Sequence, residues 1–381
     1  MAERLTWCEI SGDALRQNLA EFRRLVGPAC RLAPVVKANA YGHGLELAAR
    51  VFAQAGADAL CVHDLWEARR VRDAGVALPV LILGPLLPEQ APEAVQVRDL
   101  EFTVSHEAVV SALEAAARSH GCRVPVFVKV ETGTNRQGLR APDAVALARR
   151  ILASRALALR GLTMHFADIE DTTDHTFART QIERFHEAVA ALDREGAASR
   201  VLSCANSAAT ILWSEAHLDM VRVGIGAYGM WPSTETFVAA ALTHRHRLNL
   251  RPALTWKTVV TEVKDVPAGE FIGYGRTYRT THLSRIAVLP VGYYDGYDRG
   301  VSNVAFVLVR GRRAQVRGRV CMNLIMVDVT DIPDVRPGDE VILLGHDTED
   351  AISAERFAQW ANTINYEVTT RIAESVPRRL V

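Results

Sequence analysis

The chain has 381 residues, of which 49% are hydrophobic and 23% charged, and its 44 basic and 44 acidic side chains give a formal net charge of zero. Without a basic or acidic excess, nothing indicates a nucleic-acid or membrane-surface partner. The length exceeds what one hydrophobic core usually supports, so we expect two domains. Six scattered cysteines without a Cys-X-X-Cys pair argue against a disulfide framework and favour a reducing compartment. Residues 1–11 contain no apolar leader, so we expect a cytoplasmic protein.

The first informative stretch is RLAPVVKANAYGHG, residues 31–44. The apolar run from Leu32 to Val36 predicts a buried strand that ends at Lys37. Strand ends are where α/β folds place their chemistry, and a desolvated lysine there loses part of its preference for the charged form. Lys37 is therefore a candidate nucleophile. The alternative is a lysine that simply extends into solvent from the end of a strand.

Helix and strand patterns alternate after Lys37. Asp64 and Glu67 have the spacing of a capping box, which predicts a helix that ends at Gly75. Further helices are predicted over 45–55, 141–153 and 174–195. Eight strand–helix units in about 230 residues predict an α/β fold of the (β/α)8 TIM-like barrel type. The predicted strands are 32–36, 59–62, 80–83, 102–104, 124–130, 159–165, 200–204 and 220–223.

The pattern changes near residue 244, where alternating β-branched residues and Pro/Gly turns begin. We expect a mostly antiparallel β domain to about residue 348 and a short helix over 354–363. The predicted domains are a barrel of residues 10–243 and a C-terminal β domain of residues 244–381. His244 and His246 alternate as metal ligands on a strand could, but no carboxylate or cysteine has a fitting spacing, so no metal is predicted.

The string VVKANAYGHG resembles the cofactor-lysine motif of alanine racemases, which are fold-type III pyridoxal phosphate (PLP) enzymes. A barrel followed by a β domain is also similar to the architecture of that family. The resemblance implies that Lys37 carries PLP as a Schiff base and that Tyr41 hydrogen-bonds its phosphate. It also implies that residues 1–9 pack with the β domain.

Three further segments of this chain resemble cofactor-binding segments of the family, and this resemblance implies the remaining cofactor contacts. The segments are SCANSAAT, VRVGIGAYG and INYEVTTRI. In the first string a strand gives way to a helix that begins with small polar residues. Such a start suits an anion, although Ser207 could merely cap the helix. Arg222 would face the ring nitrogen and, having only donors, would leave it unprotonated; the weaker electron sink that results suits racemisation better than transamination. The residues implied to contact the phosphate side are Asn206, Ser207, Gly224, Ile225 and Tyr366.

Racemisation needs a base on each face of a planar intermediate. The resemblance assigns these roles to Lys37 and to Tyr274 in the GYG segment, with Tyr274 acting in the active site of the partner subunit. A homodimer with shared sites is therefore implied. His165 would hydrogen-bond the tyrosine, and Arg222 would contact His165.

Substrate recognition is also implied by the resemblance. Arg136, the backbone of Met322, and Tyr293 correspond to family residues near the substrate carboxylate. Lys129 matches a lysine that is often carbamylated, which would turn a cation into an anion able to orient Arg136. The alternative for Lys129 is an ordinary surface strand that it shares with Glu131.

The expected function is PLP-dependent interconversion of L- and D-alanine, which would supply D-alanine for peptidoglycan. The family commonly has Cys-Met-Asp-Gln where this chain has residues 321–324, CMNL, so serine stays open as a second substrate. A PLP decarboxylase of the same fold is a second candidate, but its Gly-Gly-Gly loop and late Cys-Glu motif are missing. A PLP-carrying barrel without activity is disfavoured by residues 245–381. An exported racemase of wider range is disfavoured by the missing signal segment.

Overall fold

A computed structural model describes residues 4–194, 200–243, 248–347 and 350–381. The chain divides into two compact units. The larger, which we call the barrel unit, comprises residues 13–40 and 45–251, and the smaller, the β unit, comprises 1–12, 41–44 and 252–381. The boundary we predict between residues 243 and 244 stays a prediction, because residues 244–247, with His244 and His246, lie outside the described ranges.

The strands of the barrel unit are short and almost wholly buried, as expected for parallel strands covered on both faces. In chain order the strands of the protein are β1 Thr6–Ile10, β2 Arg31–Pro34, β3 Leu60–Val62, β4 Val80–Ile82, β5 Leu100–Val104, β6 Val124–Lys129, β7 Leu157–Thr163, β8 Val201–Ser203, β9 Met220–Val223, β10 Leu254–Val259, β11 Glu262–Val266, β12 Phe271–Ile272, β13 Tyr278–Arg279, β14 Ser284–Leu289, β15 Phe306–Val309, β16 Arg312–Val316, β17 Ile325–Asp328, β18 Glu340–His346, β19 Ala351–Ile352 and β20 Arg378–Leu380.

Helices alternate with the strands of the barrel unit, and further helices lie near the C-terminal end of the β unit. They are α1 Gly12–Val26, α2 Leu45–Gln54, α3 Leu65–Asp73, α4 Ala91–Ala94, α5 Glu107–Ser119, α6 Ala141–Leu152, α7 Thr176–Asp193, α8 Ser207–Leu212, α9 Thr234–Leu242, α10 Ala354–Ala361 and α11 Asn365–Thr370. None of these helices is both long enough and apolar enough to cross a membrane, within the residues described.

Eight parallel strands close on themselves in the barrel unit. Strands β3 to β8 form one sheet in sequence order, and β2 pairs with β9. A bridge between Val35 and Cys61 joins the β2 segment to β3. At the other seam, the Arg222 N–H donates to the carbonyl of Ala205 at 3.0 Å. The predicted barrel followed by an antiparallel β domain is thus confirmed.

Strand β7 begins and ends two residues earlier than the pattern predicts. The structure has Leu157–Thr163 where the sequence favours 159–165. Arg160 lies within the strand and forms an ion pair with Glu101. His165 therefore lies beyond the strand, in the loop that follows it.

The helix after Asp64 has only half of its predicted capping box. The Asp64 side chain accepts a hydrogen bond from the Glu67 N–H at 2.9 Å, as predicted. The Glu67 carboxylate does not return to the Asp64 N–H. It accepts instead from the N–H of His63 at 2.7 Å and from that of Ala38 at 2.6 Å.

Directly after Lys37 the backbone makes a left-handed helical turn that the sequence did not predict. Ala38, Asn39, Ala40 and Tyr41 have φ values of 53°, 52°, 54° and 53°. This region costs an L-residue about 1–2 kcal/mol, so the turn needs support from its surroundings.

The β unit is built on a ten-stranded, mostly antiparallel sheet with the order β11-β14-β17-β16-β15-β18-β10-β1-β20, with β19 beside β18. Strand β1 pairs antiparallel with β10 and parallel with β20, so residues 6–10 belong to this sheet. Strands β12 and β13 form a separate hairpin. The predicted helix over 354–363 ends at Ala361, and a further short helix, α11, carries Tyr366.

Candidate active site

Lys37 lies at the end of the β2 segment, half-buried among charged groups. Burial lowers the pKa of its amine, and the Arg136 guanidinium lowers it further, while the Glu67 carboxylate acts in the opposite direction. The amine therefore gives up its proton more readily than a surface lysine does. A partly desolvated amine of this kind suits nucleophilic attack on a carbonyl.

Three further basic side chains surround the same strand ends: Lys129, Arg136 and Arg222. Burial lowers the pKa of Lys129 to about 7, with added effects from Arg222 and Arg136. Burial and then the Arg222 charge hold the pKa of His165 well below its ordinary value, so this imidazole is neutral. Within the described residues no group of three His, Cys, Asp or Glu side chains could hold a metal ion. The local charge favours a ligand that carries anionic groups.

Arg222 is 5% exposed, and in the part of the chain that the structure describes its hydrogen-bond acceptors are neutral. Its guanidinium donates to Ser203 Oγ, to the Met164 carbonyl at 2.7 Å and to the Cys204 carbonyl at 3.4 Å. Among the residues described, no hydrogen bond joins Arg222 to His165, so the contact implied by the resemblance is electrostatic here. None of these acceptors carries a negative charge that would offset the charge of the guanidinium.

Asn206, rather than Ser207, is the N-cap of helix α8. Its Oδ1 accepts from the Ala209 N–H at 2.9 Å. The neighbouring Ser207 Oγ accepts instead from the N–H of Gly224 at 2.9 Å and of Gly226 at 3.3 Å. The capping alternative for Ser207 is therefore wrong, and its hydroxyl ties the two predicted phosphate segments together.

The segment that carries Gly224 and Ile225 approaches helix α1 closely. A Cβ at Gly226 would lie 2.5 Å from the ring of Phe22, so only glycine fits there. This contact holds the segment against the barrel wall.

The loop that carries Arg136 is organised by Glu131. Burial raises the pKa of Glu131, but hydrogen bonds from the backbone N–H groups of residues 133–136 lower it below its ordinary value. The Gly133 N–H donates to Glu131 Oε1 at 2.5 Å. Glu131 thus binds its own loop and presents Arg136, which is exposed, beside Lys37 and Lys129.

Sequence reasoning missed Glu170, whose carboxylate accepts a hydrogen bond from Asn206 Nδ2 at 2.9 Å. Burial raises the pKa of Glu170 to about 7, and the charge of Asp171 adds to this. The signal was the acidic loop after His165, FADIEDTTDH, in which no single carboxylate stands out.

The β unit carries the other predicted site residues. The rings of Tyr41 and Tyr366 pack with their centroids 6.0 Å apart. Tyr274 is 72% exposed and lies between Gly273 and Gly275, which have φ values of 70° and 72°.

Tyr293 and Met322 lie on adjoining segments of the β unit. The N–H of Tyr293 donates to the Cys321 carbonyl, and the N–H of Tyr294 to the Met322 carbonyl, each at 3.0 Å. A Cβ at Gly292 would lie 2.3 Å from both of those carbonyl oxygens, so glycine permits this contact.

Comparison with known proteins decides the family. Residues 10–232 match the model of the alanine racemase N-terminal domain, and residues 253–380 match that of the C-terminal domain. The chain belongs to the alanine racemase family. The alanine racemase of Desulfosudis oleivorans is 42% identical over 381 residues, with 98% of this chain and 95% of that protein covered. That of Halothermothrix orenii is 40% identical over 375 residues, with 98% and 96% covered.

Solved alanine racemase structures share the fold over the whole chain. The Clostridium difficile 630 structure has a TM-score of 0.92 at 32% identity and covers 100% of this chain and 97% of its own. The structure from the D-cycloserine producer Streptomyces lavendulae has a TM-score of 0.91 at 34% identity, with 100% and 98% covered. That from Bacillus anthracis, solved with bound L-Ala-P, has a TM-score of 0.90 at 31% identity, with 100% and 96% covered. The predicted family and its enzyme class, an amino-acid racemase, are confirmed. The match over residues 253–380 excludes the alternative of a PLP-carrying barrel protein that lacks a β domain.

Proposed function

We propose that the protein interconverts L-alanine and D-alanine with PLP, using Lys37 and Tyr274 of the partner subunit as its two bases. Full-length similarity to alanine racemases supports the reaction. The observation that carries the mechanism is Lys37, an amine with a lowered pKa among three further cationic groups at the strand ends. Substrate breadth, the shared dimer site and the biological role belong to the same proposal.

The residues present fit PLP, which combines an aldehyde, a pyridine ring and a phosphate. Lys37 offers the amine. Arg222 offers a buried cation whose partners are all neutral, so its charge is available to a ring nitrogen. The Ser207 hydroxyl and the amide of Ile225 offer neutral donors for the phosphate, and Tyr41 and Tyr366 offer hydroxyls. The Gly224 N–H is bound to Ser207 Oγ, so Gly224 would line the phosphate side without donating to it. The absence of a carboxylate hydrogen-bonded to Arg222 in the described residues agrees with this donor set.

When bound, PLP supplies an electron-withdrawing ring that acidifies the α-C–H bond of an amino acid. Lys37 would hold the cofactor and, once released from it, take the α-proton on one face at Nζ as the neutral amine or return it as the ammonium. Its lowered pKa means that the amine loses its proton at a lower pH than a surface lysine does.

Arg222 would determine whether the ring nitrogen is protonated. Guanidinium groups only donate hydrogen bonds and do not lose a proton in proteins. A ring nitrogen facing Arg222 would therefore accept a hydrogen bond and stay unprotonated, which limits charge delocalisation and favours prompt return of the α-proton. His165, held neutral, can accept a hydrogen bond from a tyrosine hydroxyl.

Tyr274 would hold the proton for the opposite face. Its exposure suits a residue that completes the active site of the partner subunit in a homodimer. In that arrangement Met322 and Tyr293 would also serve the shared site, on the side of the substrate carboxylate. Arg136 would bind that carboxylate by its paired donors.

Lys129 is proposed to carry a carbamate. A lysine with a pKa of about 7 is largely unprotonated at slightly alkaline pH, and only the neutral amine adds CO2. The resulting anion would lie beside Arg136 and Arg222, whose charges would stabilise it.

The physiological role we propose is supply of D-alanine for peptidoglycan in the cytoplasm. The six cysteines are free, which suits a reducing compartment. Asn323 and Leu324 in place of the usual Asp-Gln leave serine as a second candidate substrate.

The test is incubation of the protein and PLP with separate L-amino acids in deuterated water. Loss of optical rotation with deuterium at the α-carbon is expected for L-alanine, and K37A should abolish both. Release of CO2 instead would support a decarboxylase. Absence of imine absorbance, or of a borohydride-trapped adduct at Lys37, would overturn the proposal.

A further inference from the structure

Glu67 is a buried carboxylate in the first turn of helix α3. It is 6% exposed, and each of its oxygens accepts one backbone hydrogen bond. Oε1 binds the N–H of Ala38 at 2.6 Å, and Oε2 binds that of His63 at 2.7 Å. One partner directly follows Lys37 in the chain, and the other follows strand β3. Glu67 therefore ties the residue after Lys37 to the neighbouring barrel strand.

The backbone that Glu67 holds is in an unfavourable conformation. The four residues after Lys37 all have φ between 52° and 54°, although none of them is glycine. Two other bonds brace the turn: the Ala40 N–H donates to the Val36 carbonyl at 2.9 Å, and Asn39 Oδ1 accepts from the Leu45 N–H at 2.9 Å. Within the described ranges, Glu67 is the charged acceptor that binds the first residue of the turn, and such an acceptor makes a stronger bond than a neutral one.

The same carboxylate acts on Lys37 electrostatically. The groups whose charges act on this amine include Arg136, Glu67, Cys61 and Glu170, and Lys129 and His165 also interact with it electrostatically. The pKa of Glu67 is raised overall, because burial outweighs its two backbone hydrogen bonds, which lower the pKa by stabilising the ionised form. Arg136 destabilises a positive charge on Lys37, and Glu67 opposes that effect.

We propose that Glu67 is a positioning residue for Lys37: it anchors the left-handed turn that aims the amine and balances the charge of Arg136. This inference rests on the proposed function, in which Lys37 is the cofactor amine. Glu67 itself need touch neither cofactor nor substrate. Its role would be to set the direction and the basicity of the lysine that does.

The test uses E67Q, which keeps the shape of the side chain but loses its charge and places an NH2 group against one backbone N–H. Without cofactor, the rate at which acetic anhydride labels Lys37 is followed against pH by mass spectrometry. The chain contains four lysines, at 37, 129, 257 and 264, so the exposed Lys264 is an internal reference. We expect the apparent pKa of Lys37 to fall by about one unit in E67Q, because a nearby opposite charge is removed.

Binding of PLP provides a second readout. We expect about tenfold weaker trapping at Lys37 by borohydride in E67Q, since the turn loses a charge-assisted bond. The variant E67D keeps the charge on a shorter side chain. In E67D, labelling of Lys37 should follow the wild-type pH profile, because the charge is kept. Trapping of PLP at Lys37 should still be weak, because the shorter side chain does not hold the turn in the same way. The two measurements therefore distinguish the effect of charge from that of geometry. If E67Q does not fold, the E67D result alone decides, because wild-type trapping in E67D would overturn the positioning role.

The matched control is E114Q. Glu114 is 7% exposed in the same barrel unit and accepts hydrogen bonds from Ser154 and Arg150, each at 2.5 Å. It should lose thermal stability as E67Q does and leave the Lys37 profile unchanged. An unchanged profile in E67Q, or an equal shift in E114Q, would refute the inference. If wild-type Lys37 is not trapped by PLP at all, it is the proposed function that fails.

Discussion

Tyr41 and Tyr366 come from distant parts of the chain, and their rings pack with centroids 6.0 Å apart. The contact depends on Gly42, the residue after Tyr41, which has a φ of +87° and lies against helix α11. A Cβ at Gly42 would lie 1.9 Å from the Thr369 carbonyl oxygen. The two tyrosines are thus brought together by a backbone approach that only glycine permits.

We predict that G42A lowers the free energy of unfolding by at least about 3 kcal/mol, since it adds a steric clash to an unfavourable φ. Urea unfolding measures this. The control is G27A, where φ is +74° and no atom lies within 4 Å of the new Cβ. It should cost only about 1 kcal/mol. Equal losses in the two variants would mean that the clash at Thr369 is relieved by a small shift.

Ser207 should matter for stability apart from any ligand. S207A removes the acceptor for the N–H groups of Gly224 and Gly226, which are buried. An unsatisfied buried donor costs about 1–3 kcal/mol, so we predict a loss in that range in chemical denaturation. S119A removes an exposed hydroxyl that bonds the Ala116 carbonyl and His120 Nδ1, and it should change stability by less than about 0.5 kcal/mol. A loss no greater than in S119A would count against the tie between the two segments.

Arg222 should control the protonation of His165. Burial comes first and Arg222 second among the causes that lower the pKa of His165. In R222M the pKa should therefore rise, and it should stay below its ordinary value because burial remains. Titration of nitrogen-15 histidine by NMR, with H165Q to assign the resonance, measures the change. R72M removes an arginine that binds the carbonyls of residues 76, 98 and 99, and it should leave His165 unaffected.

Carbamylation of Lys129 should depend on pH in a defined direction. Its pKa is lowered to about 7, so the amine is protonated and unreactive at lower pH and neutral at higher pH. With carbon-13 bicarbonate, a carbamate resonance should be present at about pH 8 and be lost toward about pH 6. K129M should lack the resonance at every pH. A resonance that persists in K129M, or a bare amine in the wild type at alkaline pH, would rule the modification out.

The dimer proposal makes a prediction about mixtures. K37A and Y274F should each be inactive, but after subunit exchange a mixed dimer would have one site with both bases. Statistical mixing should restore roughly one quarter of the sites. Recovered activity is measured with L-alanine and compared with each variant exchanged with itself. No recovery despite proven exchange would place both bases in one chain.

Much of the fold was readable from the sequence because barrel strands are buried on both faces and therefore appear as short apolar runs. The (β/α)8 order and the change to antiparallel strands after residue 250 follow from such local patterns. The bounds of single strands were predicted less well, since β7 begins and ends two residues before the predicted 159–165. The motif around Lys37 likewise indicated the family from a short stretch of sequence.

The surroundings of the reactive groups could not be predicted in this way, because they depend on which distant residues meet. Asp64 and Glu67 looked like a reciprocal cap, and the spacing alone could not show that Glu67 turns instead to Ala38. Nor could a sequence show that Ser207 binds two glycine amides. Local patterns fixed the strands, the helices and the family of this protein. Only tertiary structure decided which carboxylate, hydroxyl or cation faces each reactive group, since hydrogen bonds and desolvation arise between segments that folding brings together.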